Sequence, residues 1–223
     1  AKCLTLVTPI SLDHETFLGT TIEEISTAKL NAVQNRAILA KQNSDEVYKV
    51  AKKISSHKSV NIYMLRDFLD ESDYKKIELI SHELSLAPYL KENLSLSISA
   101  LNILKINYEV ADFKDARLFG RLTKISDNIV VDVGHNILAA SAIVDTLSGN
   151  EYIIIYNSFK DKDYKKVLEI LKPISLHVEI IDIEDMRVES VEIIDCDIVD
   201  SNGEHFAKMA VEVKKDCDNN AEK

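Results

Sequence analysis

The sequence predicts an α/β protein in two unequal parts, and three features carry that prediction. Short β-branched apolar runs alternate with segments of helical periodicity. Two of the runs, Ile129-Val130-Val131 and Tyr152-Ile153-Ile154-Ile155-Tyr156, are continuous, as in parallel strands buried on both faces. Between Lys105 and Leu118 the periodicity lapses, and a linker is expected there. With 223 residues, 46% of them hydrophobic, the chain can bury enough surface for one large domain or two smaller ones.

The elements follow in order. Cys3-Leu4-Thr5-Leu6-Val7-Thr8 reads as a buried strand that Pro9 ends. A core strand placed so early leads us to expect further chain upstream of Ala1. From Thr21, the positions Ile22, Ile25, Ala28, Ala32 and Val33 mark one face of a long helix, with Glu23 and Glu24 in the first turn where the macrodipole favours anions. Val47, Val50, Ala51 and Ile54 give a second helix over Asp45 to Ile54, and Val60-Asn61-Ile62-Tyr63-Met64 a short strand. Asn93 to Leu104 is a further helix. Beyond the linker, helices at Ile137 to Leu147 and Tyr164 to Leu171 alternate with the two apolar runs and with Val178-Glu179-Ile180-Ile181. This βαβαβ unit predicts a mostly parallel sheet with helices on both faces. Lys214 to Lys223 is charged enough to predict a disordered tail.

Composition narrows the partners. A net charge of −10 argues against nucleic acid and anionic membranes, which attract basic surfaces. No apolar run approaches a membrane span and the first residues lack a secretory layout, so a cytoplasmic location is expected. Cys3, Cys196 and Cys217 are odd in number and lack Cys-x-x-Cys spacing, which predicts free thiols. Of the five glycines, Gly19, Gly120, Gly134, Gly149 and Gly203, none precedes a lysine, so the chain contains no Walker phosphate loop.

Ligands of open parallel sheets bind beyond the carboxyl ends of strands, which directs attention to two places. Asp13-His14 follows the first strand and has side chains suited to a metal; a capping or solvent-exposed pair is the plainer reading. In Asp132-Val133-Gly134-His135-Asn136 an acid ends a strand, the chain turns at glycine, and Asn136 is placed to cap the next helix. Asp132 suits ribose hydroxyls, although a turn aspartate beside a structural glycine is equally compatible with the local sequence.

Taken together, these stretches carry a resemblance. Thr8-Pro9-Ile10-Ser11-Leu12-Asp13-His14, with Phe17-Leu18-Gly19, Thr21, Glu23-Glu24-Ile25 and Lys29, resembles the central ATPase domain of folylpolyglutamate and dihydrofolate synthetases, members of the Mur ligase family. Gly120-Arg121, Asp132-Val133-Gly134-His135-Asn136 and Asp161-Lys162-Asp163 are similar to signatures of that family's C-terminal domain. The resemblance implies that residues 1–110 are the later part of a P-loop-type central domain and residues 111–223 a Rossmann-like, mostly parallel C-terminal domain. It implies an ATP-dependent amide ligase: ATP phosphorylates a carboxylate of a folate or dihydropteroate, and L-glutamate displaces the phosphate. By the same resemblance His14 is a Mg²⁺ ligand, Lys29 is a lysine carbamylated beside the metal, and His135 lies near the reacting groups. Asn93, Arg121 and Asp132 then contact ATP on its adenine, phosphate and ribose sides.

Departures from the family pattern stand beside these matches. Phe119 takes the place of a proline, Lys29 is followed by Leu30-Asn31 where Ala-Gly is usual, and Asn157 stands where a glycine is usual. The phosphate loop is expected on an upstream segment of the same protein, and a monomer is expected. The alternative is a non-catalytic α/β binding or regulatory module that has lost the ATPase loop.

Overall fold

The computed structural model describes residues 3–13, 15–191, 193–194 and 207–209. His14, Cys196, Cys217 and the expected tail from Lys214 to Lys223 lie outside these residues. The fold is mixed α/β with parallel strands, and it divides into two compact units, Ala1–Asp132 and Val133–Lys223.

In the first unit, β1 (Thr5–Val7), β2 (Arg36–Leu39) and β3 (Asn61–Met64) form a parallel sheet in that order. Two short helices, α1 (Glu15–Leu18) and α2 (Ile22–Leu30), link β1 to β2, and α3 (Asp45–Lys58) links β2 to β3. Parallel neighbours need such crossovers. The central strand β2 is buried on both faces: Ala37 and Leu39 join the core under α2 and α3, and Ile38 and Ala40 face a second core with Leu96 and Ala100. The latter two lie on α5 (Pro88–Leu104), which therefore covers the opposite face. A further helix, α4 (Glu71–Glu83), packs Ile77 and Ile80 against Leu94 and Ile98 of α5 and against Tyr108. Each fully buried aliphatic side chain of this kind contributes ~1.5–3 kcal/mol relative to exposure.

Strand β2 and helix α4 go beyond the sequence reading, and α2 is shorter than its pattern predicts. It stops at Leu30, with Asn31 as C-cap, and Lys58 Nζ then binds the carbonyls of Asn31 and Val33 at 2.6 and 2.8 Å. Val33 is fully buried all the same, which is why it imitates a helical core position. Asp70 caps α4 and pairs reciprocally with Asp73, a start signal that the polar stretch after Met64 contains.

The clearest difference concerns Ile129-Val130-Val131. These residues form β5 (Ile129–Val131), which pairs antiparallel with β4 (Thr123–Ser126) in a two-stranded hairpin; Ile129 is 53% exposed. Asp127-Asn128 supplies a two-residue turn, and hairpin pairing replaces the buried parallel strand that the apolar run predicts.

In the second unit, β6 (Tyr152–Tyr156), β7 (Ser175–Ile180) and β8 (Ala207–Met209) are parallel and adjacent in that order. Helices α6 (Ile137–Leu147) and α7 (Tyr164–Leu171) share one core with Tyr156, Val178 and Ile180. Both therefore cover the same face. On the other face Ile153 and Ile155 are exposed, and their neighbours His177 and Glu179 pair at 2.9 Å. Among the described residues the expected second helical layer is absent, so the apolar run of β6 is buried on one side only.

Candidate nucleotide site

Helix α5 opens with Pro88 at its first position, which fixes the backbone where Tyr89 leaves the turn. Asn93 follows one turn later on the same helix face and is half-buried. Opposite them, the chain makes a tight turn at Gly120-Arg121-Leu122. Gly120 has φ +76° and Leu122 φ +45°, and a left-handed conformation at a bulky residue persists only where its surroundings hold it. Here the holding groups are visible. Thr123 Oγ1 accepts the N–H groups of Gly120 (3.0 Å) and Arg121 (3.3 Å), and Asp132 Oδ2 accepts that of Leu122 at 2.8 Å.

Asp132 stands at the end of β5. The Tyr89 hydroxyl donates to the same Oδ2 at 3.2 Å. Burial, the Asp132 carboxylate and this hydrogen bond push the Tyr89 phenol up to about 12, against the opposing effect of the Arg121 charge. The phenol therefore remains a donor at neutral pH. Of the residues that the sequence singles out, the fold brings Arg121 and Asp132 together around Tyr89, with Asn93 on the same face of α5. Such a set suits a nucleotide: a carboxylate for sugar hydroxyls, a guanidinium for phosphate, and an amide that both donates and accepts.

Tyr89 escapes the sequence reading. Its one signal is position: it precedes Asn93 by four residues, and the helix pattern read from Asn93 onward does not reach it.

The remaining residues are placed separately. Lys29 sits in the last turn of α2, half-exposed, and among the described residues no hydrogen bond or ion pair holds its ammonium. Asp13 is half-buried, and its neighbour His14 is the residue outside the described set. Among the described residues no three His, Cys, Asp or Glu side chains converge on a metal position. In the second unit, His135 Nδ1 lies 3.0 Å from the carbonyl of Val133. A carbonyl only accepts, so Nδ1 carries the proton and Nε2 is the lone-pair nitrogen of the neutral ring. Asn136 caps α6 as its sequence position predicts, accepting Ala139 N–H at 2.9 Å.

Asp163 caps α7, and the Lys162 side chain is buried beside Asp161 at 3.4 Å. Their loop is clasped by backbone bonds from Lys160 to Arg187 and from Glu189 to Ser158, both 2.8 Å. The Arg187 guanidinium also lies 5.2 Å from the Phe159 ring and holds the Asp185 carboxyl at about 2. No described helix is long and apolar enough to cross a membrane.

No family model matches the chain, and no curated protein matches it. Solved structures do. Folylpolyglutamate synthetase of Helicobacter pylori matches at 28% identity and a TM-score of 0.59, over 94% of this chain and 57% of that one. The Mycobacterium tuberculosis folylpolyglutamate synthase, complexed with ADP and AMPPCP, matches at 17% identity and a TM-score of 0.73, over 98% of this chain and 57% of its own. The bifunctional folylpolyglutamate synthase/dihydrofolate synthase of Yersinia pestis, complexed with AMPPNP and a Mn ion, matches at 16% identity and a TM-score of 0.67, over 98% of this chain and 55% of its own. Along almost its entire length, then, this chain is similar to folylpolyglutamate synthetases, and it spans at most 57% of theirs.

Proposed function

We propose that the protein to which this chain belongs is an ATP-dependent amide ligase that adds L-glutamate to folate or dihydropteroate through an acyl phosphate. The observation that carries this reading is the likeness to the Helicobacter pylori enzyme over 94% of the chain at 28% identity. The placement of Arg121 and Asp132 about Tyr89, with Asn93 one turn further along the same helix, supports it, because these are the residues that the motif resemblance assigns to ATP.

In this reading residues 1–110 are the later part of the central ATPase domain and residues 111–223 the C-terminal domain of a cytoplasmic, monomeric enzyme. The phosphate loop lies on a segment upstream of Ala1. An oxygen of the substrate carboxylate bonds to the γ-phosphorus of ATP as the bond to ADP breaks. The glutamate amine then attacks the acyl carbon, loses a proton, and phosphate leaves with the original carboxylate oxygen.

This chain's part is to position and neutralise, which is most of what phosphoryl transfer needs. Asp132 accepts from the ribose, Asn93 faces the adenine and Arg121 meets phosphate charge. His135, with Nε2 unprotonated in its neutral form, lies near the reacting groups. Mg²⁺ supplies further neutralisation when bound, with His14 as a ligand. Lys29, by the motif resemblance, would help to hold that metal as a carbamate, its nitrogen bonding to CO₂ with release of a proton.

The test is an assay of the complete protein. ADP release that requires both a folate or dihydropteroate and L-glutamate, with a product heavier by one glutamyl residue, supports the proposal. ADP release indifferent to both substrates, or none at all, sinks it.

A further inference from the structure

We propose that Tyr89 is a positioning residue of the nucleotide site, orienting the Asp132 carboxylate for the ribose. The inference rests on the nucleotide reading given above and adds a residue to it. Three observations support it.

First, one carboxylate oxygen, Asp132 Oδ2, collects two donors from different parts of the first unit: the Tyr89 hydroxyl of α5 at 3.2 Å and the Leu122 N–H of the turn at 2.8 Å. Two donors converging on one oxygen fix the plane of the carboxylate, where a single donor leaves it free to rotate. Second, both donors are themselves restrained. Pro88 sets the backbone ahead of Tyr89, and Leu122 is held at φ +45°. Third, the phenol is protonated at neutral pH, so it donates and does not repel the carboxylate. Asn93 shares the helix face with Tyr89, so the same contact ties the adenine-side amide of α5 to the ribose-side acid at the end of β5. Oriented acceptors bind more tightly because their ordering precedes the ligand.

The experiment compares equilibrium binding of AMPPNP to the complete protein and to three variants: Tyr89→Phe, Asp132→Ala and the double variant. Phenylalanine keeps the ring and removes only the donor. We expect Tyr89→Phe to weaken binding by about five- to tenfold, less than the full worth of a hydrogen bond to a charged group, because the lost bond orients the acceptor and does not touch the ligand. On the Asp132→Ala background the same change should cost less than about twofold, since its partner is gone. In turnover assays the loss should fall on KM for ATP and leave kcat nearly unchanged.

Two results overturn the inference while leaving the nucleotide site standing: Tyr89→Phe binding as the unaltered protein does, or an equal loss on both backgrounds. If the unaltered complete protein binds no AMPPNP, the nucleotide reading itself fails and this inference with it.

Discussion

A single carboxylate shows how much one residue organises here. Asp73 accepts the Tyr108 hydroxyl, the Asn102 amide at 2.8 Å and the Asp70 N–H at 3.0 Å, and the Lys76 ammonium lies 4.6 Å from the Tyr108 ring centre. Desolvation alone raises the Asp73 pKa, but the donors from Tyr108, Asp70 and Asn102, with the Lys76 charge, outweigh it, and the folded value is lowered. A lowered carboxylate contributes stability that is full above its unfolded pKa and lost as pH falls through the folded one. Tyr108→Phe should therefore cost about 1–2 kcal/mol at neutral pH, and the gap to the unaltered chain should narrow below pH ~4, read by urea unfolding. A gap unchanged at acid pH contradicts the network. Lys29 is the other residue with a sharp test. In the complete protein Lys29→Ala should lose about a hundredfold in turnover, and Lys29→Arg should do no better, because arginine keeps a positive charge and cannot form a carbamate. Near-normal turnover of Lys29→Arg rejects the carbamate.

At the scale of elements, what was legible followed from period and capping. The strand at Thr5–Val7, the helices at Asp45–Lys58, Ile137–Leu147 and Tyr164–Leu171, and the strands at Asn61–Met64, Tyr152–Tyr156 and Ser175–Ile180 all announce themselves by apolar spacing. The four-residue β2 does not, because it follows a helix whose core pattern runs on into the buried Val33. Apolar runs also say nothing of the partner strand: Ile129–Val131 pairs in a hairpin because two turn residues precede it. The candidate site is divided in the same way. Arg121 and Asp132 were legible as motif positions, whereas Tyr89 depends on a contact across 43 residues, which no local pattern encodes.

The start of α2 makes a prediction at this scale. Glu24 accepts the N–H groups of Thr20 and Thr21 at 2.8 and 3.1 Å, and Thr21 Oγ1 accepts Glu24 N–H at 3.2 Å. Gly19, at φ +109°, leaves no room for a side chain: a Cβ there would sit 2.4 Å from Glu24 Cβ. Gly19→Ala should destabilise the first unit by more than the ~1 kcal/mol expected for Thr21→Ala, which removes the cap and the hydroxyl's exposed bond to Glu24 Oε2. Thermal unfolding of the two variants compares them directly, and a Gly19→Ala chain as stable as the parent refutes the close packing.

At the scale of the whole molecule, each unit has its own core. Ile98→Ala in the first and Ile180→Ala in the second, both at buried positions, should each cost ~2–5 kcal/mol. Hydrogen exchange should register each loss in its own unit; one uniform loss across the chain would contradict two separate cores. Without a phosphate loop this chain should bind Mg·ATP more weakly than micromolar, since its sequence has no backbone cradle for the phosphates and the proposed contacts leave them to Arg121 alone. Tight binding by calorimetry would put the binding energy elsewhere.

Amide formation through an acyl phosphate, the proposed reaction of the complete protein, is reached by one isotope measurement. With a folate whose carboxylate carries heavy oxygen, the complete protein should release phosphate containing one labelled oxygen for each amide formed, because the activated carboxylate surrenders that oxygen when glutamate attacks. Unlabelled phosphate, or phosphate released without any amide product, would contradict it.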